Sequence, residues 1–357
     1  MSFSFLKKIM SSGHRLGVDI GTASIKVAEI YHGDKGPELK NYAFLESFDY
    51  LDRANAAFQT STIHPDERTI ARYLKRLLDE ANISSAPIVA SLPSFSAFTT
   101  LIEVPPLSDE ELKGSIAMHA KQYIPIPVED AMLDWTRVGE RTDENGIKKT
   151  QIFLISIPNA VVRSTQSIFS YAGLSLEGLE IEGVGLARAL SASKKDPVLI
   201  VDIGSRSTSI AIAQEGYLKF AGQTDFAGGS LTQVIANALS LSTRRAEDLK
   251  RRRGLLGDSP EQQLSTIIEP IIDVIINESV RAKQNYESTY GSKVKEVVVS
   301  GGGANLPGLS KYMSSALNMP VSKAQPFGAV GHLPDMNPFI NELGPLFSVA
   351  IGLALKK

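Results

Sequence analysis

Two stretches alternate apolar and polar positions around the same four letters. In LGVDIGTASIKVAEI (16–30), Val18 and Ile20 flank Asp19, Gly21 and Thr22 turn the chain, and Ile25 and Val27 alternate with Lys26 and Ala28. In LIVDIGSRSTSIAIA (199–213), Leu199, Val201 and Ile203 surround Asp202, Gly204 and Ser205 turn the chain, and Ile210 and Ile212 resume the alternation. Each predicts strand, tight turn, strand. A 3.6-residue period predicts a helix over 65–82, with Ile70, Leu74, Leu77, Leu78 and Ala81 on one face and Pro65 in its first turn. Residues 85–178 read as strand (PIVASLP), strand (FTTLIEV), helix (DEELKGSIAMHAKQYI), two strands around a DENG turn, and a helix over 159–172. That order predicts a small α+β unit inserted in the first half. SASKKDP (191–197) links the halves. TQVIANALSLSTRRAEDLKRRRG gives two helices. A long one follows with Leu264, Ile267, Ile268, Ile271 and Ile275 on one face and a kink expected at Pro270. VVVSGGGANLPGL (297–309) reads as a buried strand, three glycines and a helix start.

Composition narrows the function classes. The chain has 357 residues, enough for two or more domains, with ordinary globular proportions of 43% hydrophobic and 21% charged residues. A net charge of −2 creates no field favouring nucleic acid or an anionic membrane. The absence of cysteine removes disulfides and thiolate metal sites, and the five histidines are scattered. No apolar run approaches the roughly 20 residues of a membrane span, so a cytoplasmic protein is expected. The tail MSFSFLKKIM reads as a loose end or a segment packed on the core rather than an interfacial helix.

The repeated turn has a chemical use. A Gly-Thr or Gly-Ser turn offers backbone N–H groups and a hydroxyl without bulk, which suits a phosphate. An aspartate just before it can hold a hydrated magnesium ion. Two such turns facing each other would clamp one phosphate chain. Ordinary hairpin turns are the competing reading, but two copies in matching strand contexts, with a third glycine turn at 301–303, weigh against it. Neither a GxGxxG fingerprint nor a P-loop is present.

In order and spacing, DIGTASIK (19–26), DIGSRST (202–208) and GGGA (301–304) resemble the two phosphate loops and the adenosine loop of the actin-like, sugar-kinase and chaperone ATPases. Within that superfamily the whole chain looks most like the PilM family of type IV pilus assembly proteins. The residues that carry this are QYIPIPVEDAMLDW (122–135), the insert, GGSLTQVIA (228–236), AEDLKR (246–251), GGGANLPGL and VAIGLAL (349–355). The division protein FtsA shares the general layout. The resemblance implies an α/β, actin-like ATPase fold of two equivalent ribonuclease H-like halves around a nucleotide cleft, with an inserted α+β subdomain. The expected bounds are a tail at 1–13, a first half (1A) at 14–84 and 179–197, the insert (1C) at 85–178, a second half (2A) at 198–235 and 301–357, and a helical subdomain (2B) at 236–300.

The resemblance also implies ATP and Mg2+ as cofactors. Asp19 and Asp202 would face the metal and its waters. Gly21, Thr22, Lys26, Gly204 and Ser205 would meet the phosphates, and Gly228, Gly229, Gly301, Gly302, Gly303 and Ala304 would line the nucleotide. Glu247 and Lys250, three apart on one helix face, would bracket ribose and adenine, although a surface ion pair is an equally common use of that spacing. Glu182 is the candidate to position a water for slow hydrolysis, with Glu180 the competing choice. Arg251, Arg252 and Arg253 read as a solvated helix end, and no nucleic acid is expected. The implied partner is the N-terminal cytoplasmic peptide of a PilN-like bitopic membrane protein. Its dock would lie near Ile124–Pro127, and it would recruit the protein to the cytoplasmic face of the inner membrane; self-association stays open. A departure from the family is SIAMHAK, where relatives are often more acidic and aromatic. The alternative function is a small-molecule (sugar or acid) kinase of the same superfamily; otherwise no small-molecule substrate besides the nucleotide is expected.

Overall fold

The computed structural model describes residues 13–46, 66–83, 86–142, 146–256, 262–332 and 334–356. The tail at 1–12, Pro65 and the first three residues of the DENG turn lie outside them. The first hairpin forms β1 (His14–Ile20) and β2 (Ser24–Gly33), and β3 (Gly36–Glu46) follows. Helix α1 (Glu67–Glu80) starts where Asp66 accepts a hydrogen bond from the Thr69 amide, and it buries Ala71, Leu74, Leu77 and Leu78. Strand β4 (Ile88–Leu92) then returns to the first sheet.

The insert supplies β5 (Phe98–Val104), α2 (Asp109–Ala120), β6 (Ala131–Thr142) and β7 (Lys148–Pro158), and α3 (Asn159–Ala172), β8 (Leu176–Ile181) and α4 (Glu182–Ser191) complete the first half of the chain. A capping box between Ser108 and Glu111 opens α2. The second half runs β9 (Val198–Ile203), β10 (Thr208–Gln214), β11 (Tyr217–Thr224), α5 (Gly228–Leu239), α6 (Thr243–Arg253), α7 (Gln262–Tyr290), β12 (Glu296–Ser300), α8 (Leu309–Leu317), β13 (Val321–Lys323) and α9 (Ile340–Ala354). Helix α7 carries Pro270 inside it and buries Leu264, Ile268, Ile272, Ile275 and Ile276.

Sheet topology explains the repeated tetrapeptide. One sheet has the order β3-β2-β1-β4-β8 and the other β11-β10-β9-β12-β13. In each, the VDIG strand is central, antiparallel to its hairpin partner and parallel to the next strand. The insert has its own sheet, β5-β7-β6, closed by α2 over a core that includes Ile102, Leu112, Ile116, Ile124 and Leu154.

Three features differ from the expected division. Strand β12, placed with the helical subdomain at 236–300, pairs with β9 and β13 in the second sheet. Strand β4, placed with the insert on sequence, pairs with β1 and β8 in the first sheet, and α3 packs on α1. The separately sheeted unit therefore runs from Phe98 to Pro158. The closing helices are also exchanged. Helix α4 packs on β10 and β11 of the second sheet, whereas α9 packs on β1 and β2 of the first. They meet at Gly185 and Gly352, where a Cβ on Gly352 would lie 1.9 Å from the Gly185 carbonyl oxygen. A side chain at Gly352 would force the helices apart, whereas one at Gly185 would lie 3.1 Å from the Val349 carbonyl oxygen and need only a small shift.

Candidate nucleotide cleft

The two hairpins close with the same bond. The Gly21 amide donates to the Ser24 carbonyl at 2.9 Å, and the Gly204 amide to the Ser207 carbonyl at 3.1 Å. The turns line one cavity between the sheets, with a volume of about 520 Å³, a usual size for a small-molecule site. Asp19, Gly21, Thr22, Lys26, Glu182, Asp202, Gly204, Ser205, Gly228, Glu247, Lys250 and Gly301–Gly303 line it. Two expected residues do not. Ala304 is fully buried in the second-half core. Gly229 supports the second hairpin from behind: its amide donates to the Ser205 carbonyl at 2.8 Å, as the Gly228 amide does to Gly204 at 3.0 Å. The first amides of α5 are therefore spent on the hairpin.

The glycine triplet also works differently from the expectation. A Cβ on Gly301, whose φ is +75°, would lie 2.5 Å from the Ile203 carbonyl oxygen, and one on Gly303 would lie 2.3 Å from Ile203 Cγ2. These two glycines let the loop sit on the end of β9. Only Gly302 of the three has ordinary clearance, 3.6 Å from Leu346.

A serine on the neighbouring parallel strand stands beside each hairpin aspartate, and at the first it bonds the carboxylate. Ser91 Oγ donates to Asp19 Oδ1 at 2.9 Å and accepts from the Ile20 amide at 3.2 Å. Ser300 lies opposite Asp202 in the β9–β12 register, with its hydroxyl donating to the Pro345 carbonyl at 3.2 Å. Sequence reasoning missed both serines; the shared signal was a serine closing each apolar run, IVAS and VVVS. Lys26 Nζ donates to Asp19 Oδ2 at 2.9 Å. Burial pulls the Lys26 pKa down, but attraction to Asp19, Asp202 and Glu182 outweighs it and the net shift is upward, so the lysine is charged.

Glu182 is the first residue of α4 and accepts from the Ser94 amide at 3.0 Å. Burial and the Asp19 and Asp202 charges push its pKa up to about 7. Burial likewise raises Asp202 to about 6, with the Ser300 hydroxyl and Lys26 opposing and Asp19 adding to the rise. Glu180 points elsewhere, into ion pairs with Arg188 at 2.9 Å and Lys356 at 3.1 Å.

Glu247 and Lys250 form a buried pair at 2.6 Å. Lys250 Nζ also donates to the Gly228 carbonyl and Thr232 Oγ1, each at 2.8 Å, a set of three donors that only the ammonium form supplies. Burial disfavours the Glu247 charge, yet Lys250, Thr232 and Arg251 hold its carboxyl below the usual range. Arg251 binds Glu247 at 2.7 Å and also Glu46, and Arg252 pairs with Asp248. Arg251 and Arg252 are thus engaged in ion pairs.

The cavity suits a polyphosphate and a hydrated divalent ion. Ser205 Oγ is buried without a hydrogen-bond partner, an unmet donor on the cavity wall of the kind a phosphate oxygen satisfies. Among the described residues no group of three or more acidic or histidine side chains converges on a bare metal. Asp19 and Asp202, one before each turn, are the cavity carboxylates that could face the waters of a bound magnesium ion. The kinase alternative would need a second substrate site.

Comparison with known proteins agrees with this architecture. The chain is 26% identical to cell division protein FtsA of Pseudomonas aeruginosa over 208 residues, 50% of this chain and about half (48%) of that protein. It is 24% identical to FtsA of Enterococcus hirae, covering 84% of this chain and 75% of that one. A chain in the solved PilM-PilN type IV pilus biogenesis complex superposes with a TM-score of 0.81 at 23% identity, covering 96% and 97% of the two chains. MreB5 of Spiroplasma citri bound to ADP superposes with a TM-score of 0.56 at 13% identity, over 96% and 95%. Both structural likenesses establish the actin-like fold. The family model described as type IV pilus assembly protein PilM matches residues 17–357, and membership there does not favour a sugar or acid kinase. With its two matched hairpins, its exchanged closing helices and that match over nearly its whole length, the chain belongs to the PilM family of actin-like type IV pilus assembly proteins.

Proposed function

We propose that the protein binds Mg-ATP between its halves and uses the bound nucleotide to set the surface it offers to a pilus partner in the membrane. The observation that carries the nucleotide reading is the pair of matched turns, each preceded by an aspartate, around a cavity whose wall includes the unpartnered Ser205 hydroxyl. Solved proteins of the same fold described as bound to ADP or AMPPNP support it. In this reading Asp19 and Asp202 hold the magnesium waters, Thr22, Lys26 and Ser205 bind phosphate oxygens, and Glu247, Lys250 and Gly302 face the nucleoside. Magnesium supplies charge neutralisation for the phosphates. Titration calorimetry tests this: wild-type protein takes up Mg-ATP, and a folded Asp202→Ala variant binds it at least tenfold more weakly. Equal affinity in the variant counts against the assignment.

The partner reading draws on the PilM-PilN complex among the structural neighbours. The predicted ligand is a short apolar N-terminal peptide of a PilN-like bitopic protein, docked near the junction of the insert and the first half. Tyr123 and Met132 are exposed on the insert, while Ile124 closes its core. Among the described residues no helix is long and apolar enough to cross a membrane, so the peptide would supply recruitment to the inner membrane. Fluorescence anisotropy with the labelled peptide, against Tyr123→Ala and Met132→Ala variants, checks the location.

A further inference from the structure

Two arginines reach across the cleft. Arg206, at the tip of the second hairpin, lies 4.4 Å from the centre of the Phe95 ring in the turn before β5. Arg251, on α6 of the second half, meets Glu46, the last residue of β3 in the first half. The Arg251–Glu46 contact is forked, with Nη2 on Oε1 and Nη1 3.5 Å from Oε2. Glu46 and Arg251 both line the cavity, so their contact bridges the two halves at its wall. The same guanidinium donates through Nε to Glu247, and Glu247 leads through Lys250 and the Gly228 carbonyl to the second hairpin. One connected set of charged groups therefore joins the rim of the first half to the turn that faces the phosphates.

We infer that the Glu46–Arg251 pair is a latch that limits nucleotide entry and exit. This rests on the nucleotide reading above and adds to it a control on exchange. Three physical points support it. First, the pair ties two elements that share no sheet and would separate if the halves opened. Second, it is semi-exposed, with Glu46 24% and Arg251 52% accessible, so it is weak enough to break repeatedly. Third, Arg251 shares Glu247 with the nucleoside wall, so a ligand that draws on Glu247 shifts the guanidinium's second anchor and with it the latch. Opening of this kind changes entry and exit together, whereas a lost ligand contact would change exit alone.

Stopped-flow fluorescence with a methylanthraniloyl-labelled ADP separates these cases in the full chain. Glu46→Gln is the test variant; it keeps the shape of the side chain and removes only the charge. Dissociation should quicken roughly fivefold, the effect of losing about 1 kcal/mol, and association should quicken by a similar factor, so affinity changes less than either rate. Raising the salt from 50 to 500 mM should quicken wild-type exchange towards the variant's rate and leave the variant little changed. Glu46→Asp, which keeps the charge on a shorter arm, should fall between the two. Unchanged rates in a Glu46→Gln protein that still binds the nucleotide overturn the latch and leave the nucleotide reading standing. Faster dissociation with unchanged association also overturns it, by making Glu46 a ligand contact. No signal with wild-type protein overturns both.

Discussion

At the scale of single residues, the cleft sets two carboxyls against their ordinary chemistry. Glu182 and Asp202 have pKa values raised to about 7 and about 6 because burial and neighbouring acids disfavour their charge. Between the ordinary carboxylate pKa near 4 and these values the folded state holds more protons than the unfolded state. Stability therefore falls as pH rises through that window. The ligand-free protein should lose melting temperature from pH 5 to pH 7.5 through these groups, and Glu182→Gln should flatten part of the slope; an unchanged slope would argue against a protonated Glu182. Magnesium and nucleotide favour the ionised aspartate. Their stabilisation should therefore be larger at pH 7.5 than at pH 5. In the proposed reading Glu182 would orient the attacking water. Glu182→Gln is expected to keep ATP affinity within about threefold and to lower single-turnover hydrolysis by roughly 10²-fold or more. Loss of turnover in Glu180→Ala instead would be surprising, because Glu180 is committed to Arg188 and Lys356. The aspartates and turn glycines could be read directly, because the tight turn repeats in sequence. Ser91 and Ser300 could not: a serine ending a buried strand has no period, and the aspartate beside it lies on a strand distant in sequence.

At the scale of elements, the glycine loop shows how one composition serves two purposes. Read as sequence, three glycines admit a ligand. In the fold, Gly301 and Gly303 accommodate Ile203, and Gly302 is the one with clearance towards the cleft. Gly303→Ala should cost about 1–3 kcal/mol by overpacking against Ile203, visible as a lower urea midpoint at unchanged slope. Gly302→Ala should leave the midpoint nearly unchanged and weaken nucleotide binding instead. The opposite pattern would return the loop to the simpler ligand-approach reading. The strands and helices read from periodicity are present, but four elements among the described residues drew no reading: β3 and β11 are edge strands of mixed pattern, β13 is three residues long, and α9 is apolar nearly all round. The exchange of α4 and α9 between sheets was not legible either. A helix with an apolar face announces that it is covered, not which sheet covers it. The same reason assigned β4 to the insert: IVASL is buried at every position and bears no mark of the sheet it joins.

At the scale of the whole molecule, the insert is wedged between the halves and does not hang from one of them. Thr99 Oγ1 donates to the Ala221 carbonyl of β11 at 3.1 Å, and Lys219 Nζ of β11 donates to the Val138 carbonyl of β6 at 3.2 Å. Phe153, Ile155 and Ile157 of β7 share a buried cluster with Leu186 of α4 and with Ala211, Ala213 and Leu218 of the second half. Excising the insert would expose that cluster, so deletion is a poor test of what the insert does. The contact to the cleft is short: the turn Ser94–Ser96 precedes β5, its Ser94 amide holds Glu182, and its Phe95 ring meets Arg206. A ligand that shifts Glu182 or Arg206 therefore pulls on the root of β5, and any rotation of the second half presses on its side at Ala221. Hydrogen exchange can follow this. On adding Mg-ATP, amides of both hairpins should slow, and so should those of Phe98–Val104 and of the β6 segment near Val138, by several-fold. Protection confined to the hairpins would mean that the insert does not sense the nucleotide, and that partner binding there is independent of it. Protection at neither place would count against nucleotide binding itself. With the first outcome, the same Mg-ATP titration repeated in Arg206→Ala should keep the hairpin protection and weaken that of β5, because the guanidinium over Phe95 is one of the two links to it, the Ser94–Glu182 hydrogen bond being the other.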